Sequence, residues 1–96
     1  MDANPSGRFA MRALFVGGAV DNSELDMDGP APPIHYPPDS GGGKPRYNLY
    51  QVGRRDGEIA YAVYAAPEMG DAEVERITAE RDYARRFEAT PYVVEH

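Results

Sequence analysis

The sequence contains no cysteine, which removes disulfides, thiolate chemistry and cysteine-based zinc sites together. Small secreted domains usually carry disulfides to supplement a thin core, so their absence points to a reducing cytoplasm. No apolar run approaches the roughly 18 residues of a membrane span, and the opening MDANPSGRFA lacks the apolar centre of a signal peptide. Histidine is scarce: His35 lies in a proline-rich stretch and His96 is the last residue. With neither Gly-x-Ser-x-Gly nor His-Glu-x-x-His, serine-triad and histidine-metal chemistry lack their parts. Positive charge is also short, with ten basic residues against sixteen acidic ones, a net charge of −6 and a pI near 4.7. Phosphate backbones attract basic surfaces, so nucleic acid is a poor partner and a protein with a basic surface is a better one. No catalytic residue, cofactor or metal is expected.

What is present fits one small α+β domain over residues 11–96, behind a disordered lead-in at 1–10, with Met11 as an alternative start. Residues Gly29 to Pro45 hold ten Gly or Pro in seventeen positions, which forbids a helix or a central strand and makes a long loop. Before it, MRALFV (11–16) has the length and apolarity of a strand, and ELDMD alternates, with Leu25 and Met27 opposite Glu24, Asp26 and Asp28. Gly17, Gly18, Asp21 and Asn22 supply turn chemistry for a hairpin between them. After the loop, RYNLYQV places Tyr47, Leu49 and Gln51 opposite Asn48, Tyr50 and Val52. IAYAVYA places Ile59, Tyr61 and Val63 opposite Ala60, Ala62 and Tyr64. An Asp-Gly turn joins these two strands as a second hairpin.

GDAEVERITAERDYARRFEA reads as one helix. Asp71 caps it, Glu73 and Glu75 oppose the dipole at its start, and Arg81, Arg85 and Arg86 do so near its end. Val74, Ile77, Ala84 and Phe87 recur at helical spacing, with the aliphatic stem of Arg81 filling the gap. Asp82 and Arg86 form an i,i+4 pair. Pro91 stops the helix, and YVVE adds a short terminal strand. The expected fold is an antiparallel sheet of three to five strands with this helix packed on one face.

Two short patterns mimic ligand loops. Gly17-Gly18 follows an apolar strand, as phosphate loops do, but no trailing Gly-Lys-Ser/Thr or helix follows, which leaves a turn. Glu24-x-Asp26-x-Asp28-Gly29 resembles half of an EF-hand loop, yet the twelfth position falls on His35. The contact candidates are therefore of other kinds. Asp21, Glu24, Asp26 and Asp28 form an acidic segment suited to a basic partner. Ile34, His35 and Tyr36, set between proline pairs, form an apolar tip on a preordered backbone. Tyr47, Tyr50 and Tyr64 belong to a hairpin with tyrosines on both faces, so one pair faces away from the helix, and tyrosine is enriched at contact surfaces.

Phe15-Val16-Gly17-Gly18, with Asp21 in register, resembles the opening Phe-Ile/Val-Gly-Gly-Pro-x-Asp-Gly of a group of small tailed-phage and prophage proteins. Ala19 and Asn22 replace the group's proline and glycine. The later EIAYAVYAAPEMGDAEV is similar to the strand-then-helix of the same group. The resemblance implies a phage origin and a bacterial host cytoplasm, and no particular activity. These readings converge on a non-enzymatic protein-binding module, a phage accessory protein that binds and modulates a host protein or defence complex, inhibition of a CRISPR complex being one form. The alternatives are a self-associating structural or virion-associated protein, active as a homodimer, and a small-molecule or nucleotide binder.

Overall fold

The computed structural model describes residues 11–27, 31–36 and 46–94. The lead-in at 1–10, Asp28 and most of the loop at 29–45 lie outside the described residues. Six strands form one sheet: β1 (Met11–Val16), β2 (Glu24–Met27), β3 (His35–Tyr36), β4 (Tyr47–Arg55), β5 (Glu58–Ala65) and β6 (Thr90–Val93). The spatial order is β2-β1-β5-β4-β3, with β6 also paired to β4. Both expected hairpins are present. β1 pairs antiparallel with β2, and β4 with β5, the latter across Asp56 and Gly57, both at positive φ, as a tight two-residue turn requires.

The sheet is largely antiparallel but not wholly so. β1 and β5, at its centre, run parallel, Arg12 to Val16 against Tyr61 to Ala65. Since each hairpin reverses the chain once, the parallel pair requires β2 and β4 to run in the same direction, and β3, which lies between them in the chain, runs antiparallel to β4. Local patterning cannot reveal that, because it carries no information on which strands become neighbours.

Alternating residues of the central strands feed two cores. On one face Leu14, Val16, Tyr61, Val63 and Ala65 pack with Val74 and Tyr83 of the helical segment. On the other, Met11, Ala13, Phe15, Leu49, Val52, Ala62 and Tyr64 gather with Tyr36, Tyr47 and Ile59. Tyr47 and Tyr64 thus face away from the helices, while Tyr50 and Tyr61 are on the helix side. Phe15 is the hub of the second core, with ring centroids 5.5, 5.2 and 5.7 Å from Tyr36, Tyr47 and Tyr64.

Two register shifts in the β4–β5 ladder, between Leu49 and Gln51 and between Gly53 and Arg54, correct the expected faces. A bulge inserts one residue and so reverses the alternation beyond it. Gln51 is thereby turned from the face of Tyr47 and Leu49 to that of Tyr61, whose hydroxyl donates to Gln51 Oε1 at 2.8 Å. Burial pushes the Tyr61 phenol up to about 12. Ile59 packs with Val52 and Ala62 instead of with Tyr61 and Val63.

The helical segment also departs from one continuous helix. α1 (Asp71–Arg81) begins after Gly70, so Asp71 is its first residue and Gly70 its cap, and it ends at Asp82 in the left-handed conformation (φ 58°). A second short helix, α2 (Tyr83–Arg86), follows. In an unbroken helix Tyr83 would lie about 180° from Val74, facing solvent. The left-handed Asp82 redirects the chain, and Tyr83 is buried beside Tyr61. The expected Asp82–Arg86 pair gives way to a loose Asp82–Arg85 contact at 3.9 Å, leaving Arg86 for a partner on the sheet.

Gly53 lies beneath the Tyr61 ring, where any Cβ would overlap ring carbons. Gly53→Ala is expected to lower stability by about 1–3 kcal/mol through displacement of this buried ring, measured as a reduced midpoint in urea denaturation.

Candidate functional site

The turn between β1 and β2 is closed on itself. Gly17 and Gly18 sit at φ 81° and 71°, and a Cβ on Gly18 would come 2.5 Å from the Tyr47 hydroxyl oxygen. That hydroxyl donates to the Gly17 carbonyl at 2.6 Å and accepts from the Val20 N–H at 3.1 Å. The Gly17 N–H, the group a phosphate loop would offer its ligand, donates instead to Asp21 Oδ1 at 2.7 Å. Arg81 Nη2 reaches both oxygens of the same carboxylate at 3.0 and 3.2 Å. The chain's own carboxylate therefore takes the place of an external anion.

The other acidic candidates are bound in the same way. Glu24 accepts from Arg12 Nη1 and Arg86 Nη1, each at 3.0 Å, and Asp26 pairs with Arg12 Nε at 2.8 Å. The Gly17 N–H first, and then Arg81, hold the Asp21 carboxyl below its ordinary range. Arg86 first, and then Arg12, do the same for Glu24. Three carboxylates thus face three guanidiniums, and the strand read as a free acidic surface is locally balanced. Asp28 lies outside the described residues.

The proline-flanked residues are not a projecting tip. Tyr36 lies in the aromatic core against Phe15 and Tyr64, and His35 Nδ1 is 2.9 Å from Asn48 Oδ1. Both belong to the two-residue edge strand β3, a position that the flanking prolines permit. Only Ile34 projects, at 55% exposure. Of the tyrosine candidates, Tyr64 is fully buried and donates to the Pro33 carbonyl at 2.7 Å, which removes it from any contact surface. Tyr47 is engaged in the glycine turn. Tyr50 alone remains partly open on the helix side.

Tyr50 is placed by the first bulge. Leu49 N–H donates to the Ile34 carbonyl, and the next residue, Tyr50, accepts from Val94 N–H, both at 2.8 Å. Two successive residues of β4 therefore address two different neighbours, β3 pairing at Tyr47–Asn48 and β6 at Gln51–Arg54. Where the neighbours change over, a half-open cleft of about 350 Å³ is lined by His35, Asn48, Leu49, Tyr50, Met69 and Asp71, with Ala65, Ala66, Val74 and Val93 among its apolar walls. The Tyr50 hydroxyl lies 3.5 Å from the Asp71 carbonyl, and burial, then Glu75 and Asp71, push its phenol up.

Of the four large hydrophobic residues most exposed among those described, Ile34, Tyr92 and Val93 lie along this one edge, and only Val20 lies elsewhere. Sequence reasoning missed Tyr92, Val93, Met69 and Asp71. The available signal was Tyr92-Val93-Val94, an apolar run directly after a proline, as on an edge strand. Val94 N–H bonds back to Tyr50, so the backbone groups of Thr90 and Tyr92 also face β4, while those of Pro91 and Val93 face outward. Pro91 has no N–H to offer there, which blunts the edge.

Among the described residues no group of three or more potential metal ligands occurs, and no helix is long and apolar enough to cross a membrane. No family model, curated protein or solved structure matches the chain.

The lowered carboxyl values of Asp21 and Glu24 make their contribution to stability present at neutral pH and lost as pH falls below about 4 and through the folded-state values. Asp21→Asn and Glu24→Gln are each expected to lower stability at pH 7 by about 1 kcal/mol, allowing for solvent screening. The double variant should lose less stability than the parent between pH 7 and pH 3 in urea titrations.

Proposed function

We propose that the protein is a non-enzymatic binding module that docks a protein partner on the split edge of its sheet, where β3 and β6 meet along β4. The observation that carries this reading is the concentration of Ile34, Tyr92 and Val93, all more than half exposed, along one edge of the sheet, where Val93 also lines a cleft with apolar walls. Exposed apolar groups gathered at one place favour a contact surface over scattered exposure. The acidic strand supports the role less well, since Asp21, Glu24 and Asp26 would have to abandon internal arginines to meet a partner. The resemblance of Phe15-Val16-Gly17-Gly18 to phage proteins favours a host protein in the bacterial cytoplasm as the partner, with the chain acting as an accessory that modulates it. Self-association by continued strand pairing is less well supported, because the outward ladder of β6 carries Pro91.

Val93→Asp and Ile34→Asp are expected to change stability by no more than about 0.5 kcal/mol, being surface substitutions, and to abolish capture of the partner from host lysate. Arg76→Ala, on the exposed face of α1, should leave capture intact. Capture unchanged by both aspartate variants would overturn the assignment of the surface.

A further inference from the structure

We infer that the cleft between β3 and β6 seats an arginine side chain carried on an extended segment of the partner. This deepens the docking reading above and rests on it. The charge around the cleft is one-sided. Asp71 lies in its wall and Glu75 acts on Tyr50, while no arginine or lysine is among the lining residues that the structure describes. Neither Asp71 nor Glu75 has an ion pair among the described residues, in contrast with Asp21, Glu24 and Asp26, each of which holds at least one arginine. At the start of α1 these acids favour the helix dipole, but that leaves their charge open to solvent and to a cation.

The remaining walls fit the other parts of the same side chain. Leu49, Ala65, Ala66 and Val74 offer an apolar floor to three methylenes. The Tyr50 ring offers a face for a planar guanidinium, and the Asp71 carboxylate a partner for its N–H groups. Beside the cleft, Val93 presents one outward N–H and C=O, enough to register one residue of an extended strand. Pro91, two residues earlier, prevents the pairing from running further in that direction.

The test is a titration of the isotopically labelled full chain, followed by NMR, with the blocked peptide acetyl-Ala-Val-Arg-Val-Ala-amide. The comparison peptide carries citrulline, the neutral isostere, in place of arginine. The arginine peptide is expected to shift the amides of Tyr50, Asp71 and Val93, and the citrulline peptide to bind measurably more weakly. Asp71→Asn should weaken the arginine peptide by about fivefold, the scale of one exposed ion pair, and about 0.5 M salt should weaken it similarly. Equal binding of the two peptides, shifts confined to β2, or no binding of the arginine peptide would each overturn the inference. The two readings fail separately. Loss of partner capture in Val93→Asp without preference for arginine leaves the surface and removes the side chain. Arginine-selective shifts with capture intact in both Val93→Asp and Ile34→Asp leave the arginine seat and remove the surface as the partner's docking site.

Discussion

β1 and β5 lie side by side in parallel at the centre of the sheet, and both contribute side chains to both cores. Strands paired on both edges and covered on both faces leave no solvent-facing register, so a one-residue slip would exchange the two cores completely. That constraint fixes the other elements. β2 and β4 must take the two outer edges of this pair, the helices must cover Leu14, Val16, Tyr61 and Val63, and the aromatic cluster around Phe15 must fill the opposite side.

The charge distribution follows from the same frame. The end of α1 and α2 bring Arg81 and Arg86 to the turn after β1 and to β2, where they meet Asp21 and Glu24. Arg12, on β1, reaches across to Glu24 and Asp26. Exposed ion pairs are individually weak, but these tie the helical segment to the sheet at its edge, and Arg81 also reaches the Phe15 carbonyl and the Tyr83 hydroxyl. The acids of the turn and of β2 are thus held by arginines of the same chain, whereas Asp71 and Glu75 at the start of α1 hold none among the described residues.

The bulge at Leu49–Tyr50 has the opposite effect, opening the structure. By turning two successive residues toward β3 and β6 respectively, it lets two short strands share one edge of β4 without meeting. The interval is the cleft, and the exposed Ile34, Tyr92 and Val93 lie along the same edge, Val93 in the cleft's lining. Bulges re-aim side chains in this way because the inserted residue, here Tyr50, breaks the alternation, and Gln51 is the side chain turned to the face of Tyr61.

Much of the secondary structure was legible in the chain, because it rests on local chemistry. The apolar run 11–16, the alternation at 24–27, the Asp-Gly turn and the helical start after Gly70 each follow from spacing and turn preference. The candidate site was legible only in part. Tyr50 and Ile34 stand at the cleft and its rim, while Tyr64 and Tyr36 are core residues and the acids are internally paired. Apolar and aromatic residues look alike to a pattern whether they fill a core or line a surface. The sequence by itself determined the two hairpins, the excess of acid and the absence of thiol chemistry, all properties of neighbouring residues or of composition. Only the tertiary structure decided the parallel central pair, the break at Asp82, the bulge phases and the pairing of each arginine. Those depend on which distant segments become neighbours, and burial of Tyr83, Tyr61 and Phe15 in one packed arrangement makes that selection.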